Sequence, residues 1–346
     1  MHQNNFGVLR HAAALAVLAS HSVPLTYGTE VGELGMRGTR QQMTIGHMAV
    51  FVFFILSGYL ITESWQRNPS PFLFARARLG RLLPGLGLSL VGCTAAGLFL
   101  TSLPATAYLT DPLTARFIWL NLSLLDFTGL LPGVFTSGTP PAVNGSLWTL
   151  HFEAACYVLV AALGLAGLLR RWVVLALLIC GVVAAKYWLG GSAVEFGTGF
   201  VGGMVLALWR PPVRVWALLL CAAILGVTAM TGGFRLACAT AGAYLVIAAA
   251  TSRPWRVRGA GSVGAADGAD YSYGIYLWAF PVQQLVSSWG VAHWALNIAI
   301  SLPIVLACAW ISWHAVERPV LQAIRRARSD AAMGRRAPDA VGGVVG

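Results

Sequence analysis

Residues 6–22 read "FGVLRHAAALAVLASHS", and the fold turns on whether this stretch crosses a membrane. It is built mainly of Leu, Val and Ala, yet it places Arg10 near one end and His21 eleven residues later. A helix crossing the hydrocarbon needs about 20 apolar residues, and ionisable side chains within it are rare and costly. The whole composition matches a membrane protein. Of 346 residues, 57% are hydrophobic and 10% charged, against about 25% charged in soluble domains.

Outward from residue 22, further apolar runs follow. Including the first, ten candidate spans lie near 8–26, 43–64, 84–103, 145–168, 171–189, 194–209, 214–231, 234–251, 271–289 and 292–316. The chain is expected to be an all-α polytopic membrane protein with about ten transmembrane helices. The first run lacks a small-residue cleavage site ahead of a soluble domain, so it is expected to be retained rather than removed as a leader.

The net charge of +11 invites a nucleic-acid partner, but the placement of the charges points elsewhere. With the N-terminus in the cytoplasm, 18 of the 23 basic residues fall on inner segments, leaving Arg37, Arg40, Arg116, Lys186 and Arg235 outside. The positive-inside rule accounts for that asymmetry, so both termini are expected to be cytoplasmic and no nucleic acid is implied. Cys93, Cys156, Cys180, Cys221, Cys238 and Cys308 all sit in apolar runs without a CxxC pair. They read as free thiols, with no disulfide framework and no metal site.

Two connections are long. The outer stretch 104–144, with "GLLPGVFTSGTPPAVNGS", is rich in Pro, Gly, Ser and Thr and could cover or present a site. The inner stretch "QRNPSPFLFARARLGRLLPG" is basic and part-helical. Residues 1–321 form one membrane domain, and 322–346 read as a basic tail that decays into disorder.

Polar groups inside spans are functional candidates. Arg10 and His21 lie within about 20° of one helix face and about 16 Å apart along the axis. His21 is either a hydrogen-bonding strut between helices or a general base, for which neutral imidazole is suited. Glu153, in "NGSLWTLHFEAACY", is the one carboxylate deep in a span. It lies at a depth similar to His21, where it could pair with the imidazole, or instead with Arg116, Lys186 or His151. Arg76, Arg78 and Arg81 suit lipid-phosphate contact or recognition of a phosphorylated ligand. Ser57 and Gly58, in "FFILSGYL", permit close approach of a ligand or of another helix. "YSYGIYLW" (271–278) reads as an interfacial aromatic belt. Glu317 and Arg318, in "SWHAVERP", read as a local ion pair that ends a helix before Pro319. His47 is a candidate to share a cavity with His21, while His11 and His314 read as packing residues.

The order of Arg10, His21, "FFILSGYL", "RARLGRLLP", "SLWTLHFE", "YSYGIYLW" and "HAVERP" resembles the acyltransferase-3 family of integral membrane O-acyltransferases, from about residue 7 to 320. This resemblance implies transfer of an acyl group, typically acetyl from cytosolic acetyl-CoA or another acyl-CoA, to a hydroxyl of a glycan, glycolipid or small acceptor. It implies a multi-pass protein of the bacterial cytoplasmic (inner) membrane, with the lipid bilayer, the acyl-CoA and the acceptor as partners and no metal. It also implies catalytic parts for His21, Arg10 and Glu153, and donor binding by Arg76, Arg78, Arg81, Ser57 and Gly58. The chain departs from the family pattern twice. Phe51 stands where many members have Asp, and Ala279 stands where many have His. The competing class is a transporter or flippase for a lipid-linked or anionic solute, in which Arg10, His21 and Glu153 would line a substrate or proton pathway.

Overall fold

A computed structural model describes residues 5–136, 141–187, 191–252 and 269–334. Among them every regular element is helical. In chain order these are α1 (Phe6–Tyr27), α2 (Leu34–Gly38), α3 (Ile45–Arg67), α4 (Pro71–Leu100), α5 (Ala105–Thr110), α6 (Pro112–Ser123), α7 (Leu150–Leu165), α8 (Arg171–Tyr187), α9 (Ser192–Trp209), α10 (Val215–Thr231), α11 (Phe234–Ala239), α12 (Ala241–Thr251), α13 (Ser272–Ser288), α14 (Trp294–Ser312) and α15 (Arg318–Gly334). A 3₁₀ turn, Gly145–Thr149, leads into α7, and a π-turn, Trp313–Glu317, joins α14 to α15.

Helices occupy all ten predicted ranges. By length and composition, seven of the described helical stretches can cross a membrane: Phe6–Tyr27, Ile45–Arg67, Pro71–Leu100, Gly145–Leu165, Ser192–Trp209, Phe234–Thr251 and Trp294–Ala327. The helices α8, α10 and α13 have 17 described residues each. At 1.5 Å per residue such a helix covers about 26 Å, short of a hydrocarbon core of about 30 Å. Large apolar side chains face outward, Phe99 at 87% exposure and Trp172 at 71%, as lipid-facing surfaces require.

Close packing depends on small residues, as is common between membrane helices. In α3 against α9, Gly58 abuts the Phe200 carbonyl, and Gly203 abuts the Ile55 carbonyl in return. A Cβ at either glycine would overlap backbone. α1 lies between α3 and α13. It runs parallel to α13, with His11 near Tyr271, Leu18 O accepting from Gln283 Nε2 at 2.9 Å and Leu25 O accepting from Ser287 Oγ at 2.5 Å. Phe51 is 1% exposed in the α3–α9 core, and Ala279 is fully buried between α1, α13 and α14.

Two connections gain detail and one expectation changes. The basic inner stretch is mostly helix. Ser70 caps it, Pro71 begins it, and α4 runs 30 residues through Pro84 to Leu100, so the arginines belong to a continuous rod. The outer stretch 104–144 contains α5 and α6, whose Tyr108 and Phe117 are fully buried under α4; residues 137–140 lie outside the described residues. The chain does not stop before Pro319. The π-turn supplies a bond from Arg318 N–H to Trp313 O, five residues back, a geometry that lets a helix absorb a proline lacking its N–H. The basic segment beyond 322 continues as α15 to Gly334, and the rest of the tail lies outside the described residues.

Candidate active site

The charged pocket lies between the first turns of α1, α7 and α13, the first half of α4 and the middle of α3. Arg10 comes from α1, Ser57 from α3, Arg78 and Arg81 from α4, Glu153 and Tyr157 from α7. Tyr273 and Tyr276 of α13 and Thr149 of the 3₁₀ turn line its deeper wall. The cavity itself is small, about 80 Å³.

Helical rotation decides which arginines enter. Arg78 and Arg81 are three residues apart, about 60° around the helix, whereas Arg76 and Arg78 differ by about 200°. Arg76 accordingly does not line the pocket. Arg81 is the most heavily paired. Its Nη2 meets Asp270 Oδ2 at 2.8 Å and its Nη1 meets Glu317 Oε2 at 3.4 Å. Arg10 Nη1 meets the same Asp270 oxygen at 3.3 Å. Glu317 Oε1 accepts from Ser312 Oγ at 2.8 Å, so Glu317 pairs across the bundle with Arg81, unlike the local pair with Arg318 that its sequence suggests. Arg78 has no carboxylate within salt-bridge distance among the described residues; Nη2 reaches Ser64 Oγ at 3.5 Å, and Nε is buried without a partner.

Burial alone would raise the Asp270 carboxyl, but Arg10 and Arg81 outweigh it and hold the group well below the usual carboxylate range. These charges are partly buried, and removing one partner would leave the others uncompensated, so the knot ties α1, α4 and α13 together.

Glu153 accepts a short hydrogen bond from Tyr157 Oη and another from Ser57 Oγ at 3.5 Å. It faces the arginine pocket, and no hydrogen bond joins it to His21 or to Arg116, Lys186 or His151 among the described residues. His21 lies further along α1, its ring edge-on to Phe280 of α13 at 5.3 Å, with Nδ1 buried and unpartnered. His21 does not line the arginine pocket; Tyr276, which does, shares a 2.6 Å hydrogen bond between its Oη and Thr149 Oγ1 and donates to Ser146 O at 2.8 Å. Phe53 packs edge-on against the Tyr276 ring.

Gly58 belongs to the α3–α9 crossing, leaving Ser57 as the pocket-facing member of that pair. His47 is packed among Phe51, Trp148 and Phe196. The 271–278 aromatics are largely internal. Tyr273 and Tyr276 are each 7% exposed, and Tyr273 Oη donates to Leu82 O at 2.9 Å. Sequence reasoning did not find Asp270, Tyr157, Tyr276 or Thr149. For Asp270 the available signal was an acid standing two residues before an apolar helix.

Among the described residues no group of three His, Cys, Asp or Glu side chains could hold a metal, and the six cysteines are free.

Residues 4–314 match the acyltransferase-3 family model, described as an acyltransferase domain. An O-acetyl transferase of Shigella phage Sf6 is 29% identical over 342 residues, covering 93% of this chain and 97% of that protein. Nodulation protein 10 of Rhizobium leguminosarum bv. viciae is 26% identical, covering 93% and 94%. The exopolysaccharide production protein ExoZ of Rhizobium meliloti (strain 1021) is 27% identical, covering 87% and 98%. No solved structure matches the chain. The family match takes in every helix that contributes to the pocket, and this chain is therefore a membrane acyltransferase belonging to the acyltransferase-3 family.

Proposed function

We propose that the protein O-acylates a glycan, glycolipid or similar hydroxylated acceptor, taking an acyl group, in the first instance acetyl, from acyl-CoA. One observation carries this reading. A pocket with three arginines opens at the start of α1, and His21 lies on the same face of that helix, about 16 Å deeper and turned toward α13. The anionic part of a coenzyme A thioester suits the arginine end, and its long uncharged arm suits the distance to the imidazole. The names of the relatives, an O-acetyl transferase and an exopolysaccharide production protein, support acetyl and a glycan.

In this mechanism Arg10, Arg78 and Arg81 hold the donor's phosphates through charge-assisted hydrogen bonds. Arg76, on the far side of α4, serves the membrane surface. His21 takes the proton from the acceptor hydroxyl as the oxygen attacks the thioester carbonyl. The carbon–sulfur bond then breaks, and the coenzyme thiolate recovers the proton from the imidazolium. General-base help of this kind is worth about 10² to 10⁴ in rate. Glu153 acts from the donor side by fixing Tyr157 and Ser57, and Gly58 sets that wall by letting α9 close on α3. The pocket end faces the cytoplasm of a bacterial inner membrane, both termini share that side, and the acceptor arrives from the other.

The test is His21→Ala in membranes, with folding verified by melting temperature. Acetyl transfer from labelled acetyl-CoA should fall by at least about 10², while acetyl-CoA still raises the melting temperature by binding the native state. Transfer at the wild-type rate would overturn the assignment of His21.

A further inference from the structure

Asp270 lies outside the apolar spans, yet one of its oxygens serves two helices at once. Oδ2 forms an ion pair with Arg10 of α1 and accepts a hydrogen bond from Arg81 of α4. Oδ1 is fixed by its own helix end, accepting from Ser272 N–H at 3.1 Å and from Ser272 Oγ at 2.5 Å. Glu317 holds the other guanidinium nitrogen of Arg81. Arg78 has no such carboxylate partner among the described residues. The three pocket arginines therefore differ: Arg10 and Arg81 are both held by Asp270, Arg81 by Glu317 as well, and Arg78 by neither.

We propose that Asp270 is a positioning residue for the acyl donor, bridging Arg10 and Arg81 so that both guanidiniums meet the donor's anionic groups in a fixed orientation. This rests on the donor reading given above. Arginine is a long, flexible side chain whose planar fork gains most when it is pre-oriented. Without the bridging oxygen, two cations that reach for one point would repel and separate, and each encounter with donor would have to bring them together again. The cost falls on donor binding, not on chemistry at His21, which lies far along α1.

The experiment uses purified full-length protein in lipid nanodiscs and follows acetyl transfer with acetyl-CoA varied. Asp270→Asn should raise KM for acetyl-CoA about tenfold, the scale of losing a hydrogen bond between charged groups, with kcat within about threefold of wild type. Asp270→Glu, which keeps the carboxylate, should recover part of that loss. Ser272→Ala, which removes the hydroxyl holding Oδ1, should raise KM about threefold, smaller because it loosens one hydrogen bond only. A folded Asp270→Asn protein with unchanged KM overturns the proposal, as does a lower melting temperature with unchanged KM, the signature of a purely structural bridge. If Asp270→Asn does not fold, Ser272→Ala decides, and an unchanged KM there overturns it equally. Wild-type protein that shows neither saturation nor stabilisation by acetyl-CoA removes the donor reading and this proposal together. Saturation in wild type with indistinguishable variants removes the positioning role alone.

Discussion

Arg76, Arg78 and Arg81 share six positions of one helix, and rotation about its axis gives them three different environments. Arg76 faces away from the pocket, Arg81 is held by two carboxylates, and Arg78 enters without one. Replacing Arg78 by Ala should raise KM for acetyl-CoA about 10- to 100-fold, whereas Arg76→Ala should stay within about twofold because surface charges contribute little. Equal effects in the same kinetic assay would contradict this division. Asp270 also gives a pH signature. Its folded-state value lies below the ordinary one, so the stability it contributes is fully present above the unfolded value near 4 and is lost as pH falls through the lower folded value. The melting-temperature gap between wild type and Asp270→Asn should stay constant from about pH 8 to pH 5 and narrow below about pH 4. Arg10 and His21 were legible in the sequence because helical periodicity fixes their shared face. Asp270 was not, since an acid beside the Gly- and Ala-rich stretch "GAGSVGAADGAD" (259–270) looks solvated until the cations from α1 and α4 are brought to it.

Glycine rather than charge governs α3 and α9. Gly58 and Gly203 each bring a helix backbone onto its neighbour, so Gly58→Ala must push the two helices apart. The expected cost is about 1–3 kcal/mol, as for other overpacked sites, seen as a lower melting temperature with little change in KM for donor in the protein that remains folded. A large rise in KM at unchanged stability would instead put Gly58 against the ligand. The sequence allowed both partners for this glycine, because a small residue on an apolar helix shows that something approaches closely without showing what. Element positions were far more legible. The apolar runs fell on the observed helices, and a clear discrepancy was the start of α4, read near 84 and found at Pro71. Charge hid it: three arginines marked the stretch as basic and only part-helical, outside the apolar run, when the pocket that accommodates them is unknown. The π-turn was equally hidden, since a Glu-Arg-Pro sequence normally ends a helix.

At the scale of the whole molecule, three apolar clusters are built around α3 with α9, α4 with α13, and α1 with α14, and the charged pocket occupies the junction of the helices between them. The apolar and charged composition made the membrane class legible. How helices far apart in the chain meet at one place was not, because no local pattern encodes it. The charged knot joins positions 10, 81, 270 and 317, which has a consequence for biosynthesis. A chain emerging from the ribosome delivers Arg10 and Arg81 long before either of their carboxylates exists. Until the closing helices are threaded into the bilayer, those cations can find relief only among lipid phosphates or water at the surface. The arginine pocket is thus the last part of the protein to be completed, and in a nascent chain lacking its final two spans the knot of Arg10, Arg81, Asp270 and Glu317 has not yet closed.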